Sequence, residues 1–139
     1  GARFGRPEAD IWVVAGDGGF QMTACELSTC AQEGLKVNIA LINNRYLGMV
    51  RQWQDFFHDK RYVATPLKNP DFLKLAAAHG LDGRRVTARD QVSDAVAWAQ
   101  AQPGTVVLEF QVLEEDAVYP MVPAGNDIDD MLRRPTKEG

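Results

Sequence analysis

Residues 11–44 read IWVVAGDGGFQMTACELSTCAQEGLKVNIALINN, and this stretch decides the fold class. Ile11 to Ala15 is a short unbroken apolar run stopped by Gly16, the pattern of a parallel strand buried on both faces. A helix is expected across roughly Met22 to Gln32, where Ala24, Leu27 and Ala31 recur on one face and Gly34 ends the element. Val37 to Ile42 is a second buried run, halted by Asn43-Asn44. A strand, a crossover helix and a second strand of this kind nearly always form a right-handed parallel unit.

Downstream, Asn69 is expected to cap a helix with Pro70 in its first turn, with Phe72, Leu75, Ala76 and His79 on one face and Gly80 closing it. Thr87 with Asp90 is expected to form a capping box ahead of Val92, Ala95, Val96 and Ala99, with a stop at Pro103-Gly104. Thr105 to Val112 reads as a strand in which Val106, Leu108, Phe110 and Val112 alternate. No internal repeat or low-complexity segment interrupts this order. The expected fold class is α/β, an open, mostly parallel sheet flanked by helices.

Composition narrows the function classes. A chain of 139 residues with 45% hydrophobic and 24% charged residues is expected to be one globular unit. Its net charge of −4 gives phosphate backbones no general attraction, so nucleic acid is not an expected partner. No apolar run approaches the roughly 20 residues that span a bilayer, and no leader opens the chain, so a cytoplasmic location without a membrane partner is expected. Cys25 and Cys30 stand five apart on a predicted helix, pointing away from each other; they read as buried small hydrophobes rather than a disulfide or a zinc site.

The charge is unevenly spread. Residues 1–112 carry twelve acids and twelve bases, while the tail holds Glu114, Glu115, Asp116, Asp127, Asp129, Asp130 and Glu138 against Arg133, Arg134 and Lys137. With Pro120, Pro123, Gly125 and Pro135 also there, residues 113–139 read as an irregular acidic arm laid over a domain formed by 1–112.

In open α/β sheets ligands bind beyond the carboxyl ends of the strands. Gly16-Asp17-Gly18-Gly19 leaves the first strand there and Asn43-Asn44 leaves the second, so Asp17 and Asn44 are expected to converge although 27 positions separate them. A carboxylate and an amide carbonyl are hard oxygen ligands suited to Mg²⁺. Gly18 and Gly19 let backbone N–H groups approach an anion and lead towards the positive end of the following helix. The ligand these features predict is a metal-bound diphosphate. Either half alone is more often ordinary turn chemistry, the pair together is much more specific, and the absence of a sixth-place glycine sets aside a dinucleotide fingerprint.

Gly16-Asp17-Gly18, a spacer at 19–42, and Asn43-Asn44 resemble the thiamine diphosphate-binding motif. GDGGFQMTACELSTCAQEGLKVNIALINNRYLGMVRQWQ, RYVATPLKNPDFLKLAAAHGL and EEDAVYPMVPAGNDIDDML are similar to the large catalytic subunits of the acetolactate synthase (acetohydroxyacid synthase) family, over essentially the whole chain. The resemblance implies that Asp17 and Asn44 bind Mg²⁺ through side chains and Tyr46 through its backbone carbonyl. Gly16, Gly18, Gly19 and Phe20 would lie against the cofactor diphosphate, where the family usually has serine at the Gly19 position. Leu47, Gly48 and Met49 would lie near the reacting end of the cofactor, and Met49 and Trp53 would line the substrate channel, Trp53 recognising the second keto acid and contacting herbicides.

The implied reaction is a two-carbon transfer. Pyruvate loses carbon dioxide, and the remaining unit adds to a second pyruvate or to 2-oxobutanoate, towards valine, leucine and isoleucine. FAD is a further family cofactor, bound mostly on other domains. No catalytic residue is assigned within this chain: the essential glutamate is expected on a missing domain of a partner subunit. The chain is therefore expected to be the carboxyl-terminal piece of a longer enzyme, inactive alone, with an incomplete thiamine diphosphate-binding fold. Its expected partners are the remaining domains, a second catalytic subunit in a homodimer or tetramer, and a regulatory small subunit. A non-catalytic binding module, or another thiamine-dependent 2-oxo acid decarboxylase or carboligase, stays open. Arg45, Arg51 and Arg61 read as a solvated basic face, and His58 and His79 as residues without a catalytic part.

Overall fold

The computed structural model describes residues 1–114 and 117–135; Glu115, Asp116, Lys137 and Glu138 of the acidic tail lie outside the described residues. The strands β1 (Trp12–Gly16), β2 (Asn38–Asn43), β3 (Asp82–Val86) and β4 (Val106–Gln111) form one parallel sheet in the order β1-β2-β4-β3. The expected α/β class is what the chain adopts.

Helices cover both faces of the sheet, because right-handed crossovers running in opposite directions deposit their helices on opposite sides. On one face α2 (Asp17–Thr23), α3 (Glu26–Gln32) and α5 (Phe72–Ala78) enclose a core of Phe20, Leu27, Ile39, Leu41, Phe72 and Val107. Phe20 and Phe72 meet edge to face with centroids 5.7 Å apart, which fixes α2 beside α5. On the other face α6 (Val92–Ala101) sets Ala95 and Ala99 against Val86, Val106 and Leu108, small residues allowing close approach of helix to sheet. A short α1 (Ala2–Gly5) precedes the sheet. Among the described residues no helix is long and apolar enough to cross a membrane.

Several elements depart from expectation. Among the described residues β1 is an edge strand paired only with β2, and it is not buried on both faces: Val13 and Val14, which point to opposite faces, are both exposed. The first crossover helix begins at Asp17 rather than near Met22 and is divided into α2 and α3, breaking around Ala24 and Cys25. Cys25 is exposed and Cys30 partly so, both free, since the buried stripe of α3 is carried by Leu27. The α5 cap is Asp71, whose carboxylate accepts from the Leu73 and Lys74 amides, leaving Asn69 for another task. At the entry to α6 the Gln91 side chain, not Asp90, accepts from the Thr87 and Ala88 amides. Strand β3, with two arginines in five residues, carries no apolar period and was not expected. In β4 burial is continuous from Val106 to Glu109 rather than alternating, as befits a strand between two others.

The segment after β4 lies against α4 (Gly48–Phe57), which buries two polar side chains, Arg51 and Gln52. The Gln52 amide donates to the Val118 carbonyl at 3.2 Å and accepts from its N–H at 2.7 Å, mimicking a strand partner. Arg51 donates to the Glu114 carbonyl and lies over the Tyr46 ring, 4.3 Å from the centroid. It is buried under these contacts and not part of a solvated face. Arg45 and Arg61 stay exposed.

Candidate functional site

A parallel sheet presents all its carboxyl ends at one edge, and there Gly16 pairs with Ile42, so the residues leaving β1 and β2 start side by side. Asp17 opens α2 and is almost completely buried, at 1% exposure. Gly18 and Gly19 follow in the first turn, where backbone N–H groups have no acceptor within the helix. A β-carbon on Gly18 would stand 2.5 Å from Leu47 Cδ2 and 3.1 Å from Leu67 Cδ1, so the loop after β2 rests directly on this glycine. Gly16 and Gly19 have no atom within 4 Å of that position. Phe20 points the other way, into the core.

The loop leaving β2 is shaped by its asparagines. Asn43 Oδ1 accepts from the Arg45 N–H at 3.2 Å and Asn44 Oδ1 from the Tyr46 N–H at 3.1 Å, two overlapping turns of the kind that short amide side chains close. Arg45 adopts a φ of 60°, a left-handed conformation stabilised by this pair. Leu47 N–H donates to the Thr65 carbonyl and Leu67 N–H to the Arg45 carbonyl, so the chain at 65–67 braces the loop from outside. Gly48 then starts α4, close under the Asn44 amide. Met49 and Trp53 stand on its exposed side, 57% and 41% accessible. Trp53 packs against Phe57 with the rings tilted by 54° and centroids 5.2 Å apart, and borders a cavity of about 430 Å³ with Val50, His58, Arg61 and Val63.

Sequence reasoning missed a polar chain behind these residues. Asn69 Nδ2 donates to Asp17 Oδ2 at 2.6 Å and to Asn43 Oδ1 at 2.9 Å. Asn43 Nδ2 donates to Glu109 Oε1 at 2.7 Å, and Arg85 Nε donates to Glu109 Oε2 at 2.7 Å. Arg85 also reaches Asp71 at 3.1 Å. Glu109 raises the Arg85 guanidinium above its ordinary range, against the opposing effect of burial. The Asp71 carboxyl is held below its ordinary range, first by the Lys74 N–H. A cavity of about 430 Å³ opens along this chain beside Asn43 and Asn69. A glutamate inside the apolar run of β4 was the available signal, since buried charge demands partners.

The family model for the thiamine pyrophosphate enzyme C-terminal TPP-binding domain matches residues 1–110. The chain belongs to that family. This thiamine pyrophosphate domain is 47% identical over 137 residues to an acetolactate synthase of Mycobacterium avium, covering 94% of this chain and 22% of that protein. It is 40% identical to the acetolactate synthase isozyme 2 large subunit of Escherichia coli K12, covering 96% and 25% respectively. The chain thus spans about a quarter or less of the length of these curated relatives. Among solved structures, the thiamine diphosphate-dependent 4-hydroxybenzoylformate decarboxylase of Rhodococcus jostii RHA1 shares its fold, with a TM-score of 0.77 at 22% identity over 84% of this chain and 22% of that one.

The residues of the thiamine pyrophosphate domain fit a cation carrying a diphosphate. Asp17 is a buried carboxylate whose side-chain partner is a neutral amide, and among the described residues no Lys, Arg or His pairs with it. A buried negative charge so placed lacks its counterion. No group of three or more His, Cys, Asp or Glu side chains gathers among the described residues, so a metal here would depend on amide and backbone oxygens and on its ligand.

Proposed function

We propose that this domain anchors thiamine diphosphate through Mg²⁺ in an acetolactate synthase. The observation that carries the reading is Asp17: a carboxylate 1% exposed, without a cationic partner among the described residues, at the carboxyl end of β1 and followed by two glycines in the first turn of α2. Asp17 would give the cation a carboxylate oxygen, Asn44 its side-chain carbonyl and Tyr46 its backbone carbonyl. Asn44 Oδ1 has a second lone pair, so it can ligate while keeping its bond from the Tyr46 N–H. Gly16, Gly18, Gly19 and Phe20 would lie along the diphosphate, with the free amides of the first turn of α2 as donors.

Thiamine diphosphate, when bound, supplies the electron sink for decarboxylating a 2-oxo acid and forming a carbon–carbon bond. The chain's own part is placement. Leu47, braced from 65–67, seats on Gly18 and sets the position of the loop that carries Asn44 and Tyr46. Gly48 and Met49 border the reacting end, and Met49 and Trp53 present an accessible apolar wall to the second substrate. In this reading the catalytic glutamate comes from another domain, while buried Glu109 is held by Arg85 and Asn43. In this reading pyruvate is the donor and pyruvate or 2-oxobutanoate the acceptor. The route leads to branched-chain amino acids in the cytoplasm, and FAD, a second catalytic subunit and a regulatory subunit complete the enzyme.

Calorimetric titration of the full chain with Mg²⁺ and thiamine diphosphate tests the anchor. Binding is expected in the wild type and lost in Asp17→Ala; binding that survives the substitution overturns the metal assignment. Acetolactate formation from pyruvate, assayed in the complete enzyme, tests the reaction.

A further inference from the structure

Asn43 ends β2 with its side chain buried and both ends of it in use. Oδ1 accepts from the Arg45 N–H at 3.2 Å and from Asn69 Nδ2 at 2.9 Å, while Nδ2 donates to Glu109 Oε1 at 2.7 Å. Glu109, on the neighbouring strand β4, is the one acceptor of Nδ2 among the described residues. A buried donor stripped of its acceptor is worse off than one that turns to water. Without Glu109 the Asn43 side chain has a place to turn, because the cavity of about 430 Å³ along the polar chain borders both residues.

Turning Asn43 withdraws Oδ1 from the Arg45 N–H. Arg45 holds a φ of 60°, a left-handed conformation that a residue with a β-carbon keeps only where local bonds hold it. Asn44 and Tyr46 flank Arg45, so their placement relative to each other depends on that turn. We propose that Glu109 is a positioning residue: through Asn43 it holds the left-handed turn at Arg45, and so keeps the loop at 44–46 in the shape that receives the cofactor. This rests on the reading of that loop as part of the thiamine diphosphate site. Arg85 has a different part, since it neutralises Glu109 from the Oε2 side while Oε1 alone serves Asn43.

Three variants of the full chain vary the acceptor at nearly constant shape. Arg85→Ala keeps a carboxylate oxygen on Asn43, Arg85→Ala with Glu109→Gln keeps an amide oxygen there, and Arg85→Ala with Glu109→Met leaves no acceptor. Calorimetric titration with thiamine diphosphate at saturating Mg²⁺ is expected to give affinities within about twofold of wild type for the first two and about tenfold weaker for the third. Amide hydrogen exchange without cofactor supplies a readout that a general loss of stability does not move. Measured against the β2 amides, the Arg45 and Tyr46 N–H groups are expected to exchange about tenfold faster in the methionine variant than in the glutamine variant. Glu109→Leu removes the same acceptor with another shape and takes the place of methionine if that variant does not fold. Equal affinity across the series, or an unmoved exchange ratio, overturns the proposal. An Asp17→Ala control separates the two failures: binding that survives it sinks the anchor reading, whereas binding lost there beside equal affinities across the series sinks this proposal alone.

Discussion

Arg85 on β3 and Glu109 on β4 are register partners in the sheet, joined by an Nε to Oε2 hydrogen bond of 2.7 Å. Glu109 is 2% exposed, and Asn43 is its other side-chain partner. Arg85→Ala leaves a buried carboxylate with a single amide. The expected loss is about 2 kcal/mol, below the ~3–5 kcal/mol of a fully buried pair because the Arg85 side chain is 36% exposed. Adding Glu109→Gln to Arg85→Ala is expected to recover part of that loss. Urea unfolding midpoints of the two single variants and the double variant measure the coupling; strict additivity would show the pair to be energetically irrelevant.

Asp71 shapes the acid limb of stability. Its folded pKa is depressed, by the Lys74 and Leu73 amides and the Arg85 charge, below the ~3.9 of an unfolded aspartate. Its contribution is therefore complete above about pH 4 and disappears as pH falls through the lower folded value. Asp71→Asn retains a capping oxygen without a titrating proton, so melting temperature should fall less steeply with acidification below about pH 4 than in wild type. Parallel slopes would remove Asp71 from the acid response.

Adjacent glycines are expected to behave oppositely. Alanine at Gly18 meets Leu47 and Leu67, both movable side-chain ends, so the loop leaving β2 shifts while the fold survives. Gly18→Ala is expected to cost about 1 kcal/mol of stability and about tenfold in thiamine diphosphate affinity. Gly19 has open space, and Gly19→Ser should stabilise by roughly 0.5 kcal/mol through helix propensity with no loss of affinity. Melts and calorimetry on the two variants decide; equal effects would mean that Leu47 does not register the glycine below it.

Much of the fold was legible because apolar runs mark central strands and glycines mark their ends. β2 lies within one residue of its expected span, and Gly34 and Gly80 close their helices at φ of 59° and 72° as read. Strand β3 was not legible, since DGRRV has no hydrophobic period and its place in the sheet comes from pairing with β4 and from Glu109. Asn69-Pro70 is a local signal that predicts a cap, whereas the bonds of Asn69 span 52 and 26 positions to Asp17 and Asn43. The burial of Arg51 was equally hidden. Nothing within α4 announces that Tyr46 and the chain at Glu114 cover it. Local rules located the glycines and asparagines of the candidate site, and long-range polar partners were left for the structure to supply.

The bare valines of β1 bear on how the protein behaves when concentrated. Val14 is 74% exposed on a strand with one side unpaired among the described residues, which is a template for the backbone of another strand. In a concentrated solution of these 139 residues alone, the first departure from monodispersity is expected to be strand addition along that edge while the core stays intact. Light scattering would therefore rise well before the tryptophan and circular dichroism signals of unfolding change, and a lysine in place of Val14 is the substitution that suppresses it.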